Sequence, residues 1–125
     1  MTQPIRVVVA NRPRLMRELV LQTLIEQPDI EVVGEIKNED EISDAVGVMC
    51  PDVLIISLDE SDQRPPLCDI LLPRYPAMRI LALAPERNSS IFYWGSYDIH
   101  ESLEEASEAG ILSSLRRKSE HAVGG

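Results

Sequence analysis

Residues 5–10 read IRVVVA and residues 53–56 read VLII, two short runs dominated by branched apolar side chains. A strand wetted on one face alternates apolar with polar residues, whereas a continuous apolar run suits a strand buried on both faces, as in a parallel sheet covered by helices. Working outward, residues 12–27 carry Leu15, Leu19, Met16 with Val20, and Leu24 with Ile25 at three- and four-residue spacing, until Pro28 stops the pattern. That spacing predicts a first helix. Residues 30–36 (IEVVGEI) mix β-branched residues with charge and suit an edge strand. Residues 39–49 then place Ile42, Ala45, Val46 and Met49 on one helical face. After Pro51 and Asp52 comes VLII, expected beside the first strand, and residues 67–75 predict a short helix broken at Pro73. Residues 78–84 (MRILALA) give a fourth strand.

Beyond Pro85 the alternation breaks. Only residues 86–90 separate the fourth strand from the aromatic run 91–94 (IFYW), too few for the crossover helix that a parallel neighbour needs. Residues 99–118 carry Leu103, Ala106, Gly110, Ile111 and Leu115 on one side and end in Arg116, Arg117 and Lys118, which predicts a closing amphipathic helix. Residues 1–118 are expected to form one domain and residues 119–125 a disordered tail.

The 125 residues are 44% apolar and 26% charged, the balance of a chain that folds. A net charge of −9 opposes broad attraction to nucleic acid or to anionic membrane. The basic groups Arg12, Arg14, Arg17 and Arg116, Arg117, Lys118 read as a solvated helix face and a helix end. Cys50 and Cys68 lie in unlike contexts without metal-ligand spacing and read as reduced thiols. No signal peptide is legible and no apolar stretch approaches the ~20 residues of a membrane span, so a cytoplasmic location is expected.

In a doubly wound sheet ligands sit beyond the carboxyl ends of the strands. The runs IRVVVANRPRLMREL, PDIEVVGE, PDVLIISL and RYPAMRILALA, in that order over residues 5–84, resemble the receiver domain of bacterial response regulators. The resemblance implies a flavodoxin-like α/β fold, a doubly wound parallel five-stranded sheet with the helix between strands four and five missing or shortened. It also implies two-component or phosphorelay signalling. Receivers hold Mg²⁺ with an acidic pair after strand one, accept phosphate on an Asp after strand three, and read it with a Ser or Thr after strand four and a Lys after strand five. Carboxylates bind the hard cation through oxygen, and the cation neutralises charge on the transferring phosphoryl group. Here the corresponding places fall to Asn11 and Arg12, Ser57 and Ala84, and no Lys lies between Lys37 and Lys118. The resemblance therefore points to a pseudo-receiver with no catalytic residue, cofactor or metal. Arg12 has two readings: it replaces the metal by donating to Ser57 or the strand-end carbonyls, or it points to solvent.

Four of the five aromatic residues, Phe92, Tyr93, Trp94 and Tyr97, lie within six positions. With a crossover helix lost, this cluster is expected to be partly exposed and to form an interaction face toward another signalling protein or a second copy. Two alternatives stay open: a small-molecule or anion sensor using Asn11, Arg12 and Ser57, and a receiver phosphorylated at an unconventional residue such as Ser57 or Asp59. The acidic residues Asp59, Glu60 and Asp62 read as a solvated turn rather than a cation loop.

Overall fold

Two prolines and two apolar runs set the frame. The computed structural model describes residues 3–59, 63–84, 88–95 and 99–116. The predicted tail, together with Arg117 and Lys118, lies outside them. The first strand, β1 (Ile5–Val9), leads through Pro13 into α1 (Arg14–Ile25), whose first helical bond runs from the Arg17 amide to the Pro13 carbonyl at 3.0 Å. Proline suits a helix start because its missing N–H would have no helical partner there. β2 (Ile30–Glu35) follows, then a 3₁₀ turn at Glu39–Glu41, α2 (Ile42–Met49), β3 (Val53–Ser57), α3 (Pro66–Leu71) and β4 (Arg79–Ala84). β5 (Ser89–Trp94), β6 (His100–Glu104) and α4 (Glu108–Leu115) complete the order.

The sheet runs β2-β1-β3-β4-β5-β6. β1, β2, β3 and β4 are mutually parallel, so the two apolar runs lie side by side at the centre and the charged strand β2 takes the edge, as their sequences require. Alternate residues of each strand feed two cores. Val7, Val9, Val53, Ile55, Leu81 and Leu83 pack against Val20 and Leu24 of α1 and Ile111 and Leu115 of α4. On the other face Val8, Leu54, Ile56, Ile80 and Ala82 meet Ile42 and Val46 of α2 and Cys68 and Leu71 of α3.

The C-terminal third departs from the sequence reading in two ways. The sheet has six strands rather than five, and its last two are antiparallel to their neighbours. Only four residues separate Ala84 from its partner Ser89, so the chain turns back as a hairpin, with Asn88 in the left-handed region (φ 50°) that asparagine tolerates. The predicted helix over 99–118 is likewise corrected to a strand followed by a two-turn helix. Without β6 the backbone of β5 would form an open edge, and pairing from Ser90↔Glu104 to Trp94↔His100 satisfies it. The apolar spacing was a poor guide because Leu103, counted on the helical face, is exposed at 72%. Ser107 starts α4 instead, its Oγ accepting the Gly110 amide at 3.1 Å.

Candidate functional site

The ends of β1, β3 and β4 are held level by backbone bonds, Ala10 amide to Ile55 carbonyl and Leu58 amide to Leu83 carbonyl, each 2.8 Å. This alignment places the turn after β1 directly beside Ser57. The Arg12 backbone N–H donates to Ser57 Oγ at 2.6 Å, and the same hydroxyl donates back to the Arg12 carbonyl at 3.3 Å. Ser57 thus latches the turn after β1 to the end of β3, and its hydroxyl is engaged as both acceptor and donor.

The structure decides the two readings of Arg12. Its backbone, not its guanidinium, meets Ser57; the guanidinium points outward to Glu39 at 3.7 Å, with both side chains more than half exposed. The cation inside the site is Arg17, which the sequence reading had placed on a solvated face. Its side chain is almost fully buried, donates to Glu35 Oε2 at 2.7 Å and approaches the Asn11 carbonyl at 3.4 Å. A signal for it was available: Arg17 shares a helix face with Val20 and Leu24, at i+3 and i+7, so it had to point inward and find an acid. Asn11 is itself fully buried, and neither atom of its amide has a hydrogen-bond partner among the described residues. Ala84 is also fully buried, its methyl part of the core between sheet, α2 and α3.

The antiparallel turn has a further consequence for this site. β5 begins beside Ala84 and runs away from it, so Gly95 lies past the opposite end of the strand, ~20 Å along it. The position after strand five, where a receiver's Lys would stand, is therefore remote from Ser57 whatever residue occupies it. Among the described residues no three His, Cys, Asp or Glu side chains converge as a metal site. No helix of the described residues is long and apolar enough to cross a membrane.

Of the aromatic cluster expected to be partly exposed, Phe92 and Tyr93 are core and Trp94 alone among the described residues keeps some exposure. Phe92 and Tyr93 are buried on opposite faces of the sheet, because β6 covers the outer edge of β5 and α4 covers one of its faces. Trp94 is partly exposed and stacks on His100 with ring centroids 5.4 Å apart. Tyr97, Glu60 and Asp62 lie outside the described residues. Apolar surface is also exposed on α1 at Leu15 and Leu19, and Leu19 borders a cleft of about 420 Å³ between α1 and α4, floored by Val20, Leu83 and Ile111.

No known sequence family matches the chain, and no curated protein does. Among solved structures it matches the signal receiver domain of the response regulator NarL from Mycobacterium tuberculosis, with a TM-score of 0.53 and 22% identity. The fold is receiver-like. The match covers 63% of this chain and 64% of that one, so the likeness spans less than two thirds of either. Within the receiver-like fold, the antiparallel β5 and β6 replace the helix and parallel strand expected after β4.

Proposed function

We propose that this chain is a signalling protein of the response-regulator type that acts by protein contact, with another signalling protein or a second copy of itself, and without aspartyl phosphorylation. The observation that carries the reading is the Ser57 latch. Where a receiver presents a free carboxylate to an incoming phosphoryl group, this chain presents a hydroxyl already bonded in both directions to the Arg12 backbone. The neighbouring positions supply an uncharged amide at Asn11 and, at Arg12, a side chain that turns outward to Glu39, so neither offers the carboxylate oxygens a Mg²⁺ ion takes as ligands. The exposed apolar strip on α1 supports contact as the output.

The test is to add Mg²⁺ and beryllofluoride, then acetyl phosphate, while following backbone amide shifts and intact mass. No shift at residues 11–12 and 57–59 and no added phosphate is the expected result. Phosphate uptake abolished by Asp59→Asn would replace this reading with that of a receiver using an unconventional acceptor.

A further inference from the structure

We infer that the cleft beside Ser57, between the 3₁₀ turn Glu39–Glu41 and α3, receives a basic side chain presented by an extended segment of a partner protein. The inference rests on the interaction-module reading above and names the chemistry of the partner.

The cleft encloses about 310 Å³ at the carboxyl end of β3. Its walls are apolar: Ile56 from β3, then Pro65, Pro66, Leu67 and Ile70 around the start of α3. Ile70 is 57% exposed, on a helix whose Cys68 and Leu71 are fully covered. The rim is acidic, formed by Glu39 and Asp40. An apolar slot ending in carboxylates matches an Arg or Lys side chain, which lays its methylene stem on apolar surface and keeps its charged head at the polar edge. A neutral apolar side chain would leave the carboxylates without gain, and an acidic one would be repelled.

Two observations on local cations favour an external one. Arg64, next to Pro65, is committed to Asp69 at 2.9 Å and does not serve the rim. Arg12 reaches Glu39 only at 3.7 Å, an exposed and loosely made pair. Arg12 therefore competes weakly for Glu39, and among the described residues this loose pair is the contact an incoming guanidinium displaces. The net charge of −9 favours a basic partner at longer range.

The experiment titrates the whole chain with the probe peptide acetyl-Leu-Arg-Leu-amide and with its citrulline analogue, which keeps the shape and removes the charge, following backbone amide shifts. The Arg peptide is expected to shift Glu39, Asp40, Ser57, Leu67 and Ile70, and the citrulline peptide to leave them in place. Glu39→Gln with Asp40→Asn should weaken binding about fivefold or more, as the loss of exposed ion pairs implies, and 0.5 M salt should do the same. Arg12→Gln should tighten binding by a few fold, because it frees Glu39; a merely structural role for Arg12 predicts no gain. Equal shifts from both peptides, shifts confined to another face, or no tightening in Arg12→Gln would overturn the inference. A beryllofluoride response in the same sample would defeat the phosphorylation-independent reading while leaving the cleft standing, and a silent Arg peptide without that response would defeat the cleft alone.

Discussion

Arg17 enters the interior because the helix face it shares with Val20 and Leu24 has no other direction to point, and Glu35 makes that burial tolerable. Breaking such a pair leaves a cation without its partner, which is costlier than losing a surface bridge. Glu35 keeps about a third of its side chain in water, so Glu35→Gln should cost ~2 kcal/mol, below the range for a fully buried pair. Arg17→Met, which removes the charge itself, should cost less. Urea unfolding checks both, and equal losses would show that packing rather than charge governs the position. The two thiols differ for a related reason. Cys68 is fully buried, and burial, with Asp69 beside it, pushes its thiol up to about 12, while Cys50 is exposed. A thiol-specific reagent at neutral pH should label Cys50 alone and reach Cys68 only after unfolding. The folded state holds the Cys68 proton where the unfolded chain releases it near 9, so this contribution to stability is whole below that pH and declines as pH rises toward 12. A Cys68→Ala variant should lose stability less steeply across that window, and an unchanged slope would assign the alkaline loss to other groups.

At the scale of elements, α4 tests how closely backbone can approach backbone. A Cβ on Gly110 would run into the carbonyl of Glu105, closer than non-bonded atoms come, and that carbonyl belongs to main chain that has no flexible end to move aside. Helix propensity alone favours Ala over Gly by ~1 kcal/mol inside a helix. The clash should reverse that sign, so Gly110→Ala is expected to destabilise by ~1–2 kcal/mol, the usual cost of overpacking. A stabilised variant in thermal unfolding would show that α4 can shift without loss. The same region marks where sequence reading stopped. IRVVVA and VLII could be placed because a strand buried on both faces has one apolar signature and the connections around it are short. The strand β6 could not, since HESLE carries a single apolar residue and that one faces water. Its pairing is dictated by the open edge of β5, a demand made by distant backbone and invisible in its own side chains. At the site the positions of Asn11, Ser57 and Ala84 were legible from the strand ends, whereas the Ser57 latch was not, because its partner is the backbone of Arg12 and backbone leaves no mark in sequence.

Across the whole molecule the sheet divides into a centre and a border with different security. β1, β3 and β4 have a hydrogen-bonded strand on each side and a helical layer on each face. β6 is an edge strand in which none of the five residues is buried, and α4 rests on the sheet mainly through Ile111 and Leu115. What ties that border back is a long-range contact: Arg116, just past α4, grips both carboxylate oxygens of Asp29 at 2.8 and 2.9 Å and Gln27 at 2.8 Å, joining the C-terminal helix to the turn before β2. Local opening follows the density of buried apolar contact and of protected backbone bonds. Amide exchange should therefore be fastest in β6 and α4 and slowest in β3. Arg116→Ala should release α4 further while leaving β1 and β3 unchanged, because the clamp closes only the border. If the variant speeds exchange equally everywhere, or β6 proves as slow as β3, the two parts unfold as one unit and the hairpin that replaces the expected parallel strand is as integral to the sheet as its centre.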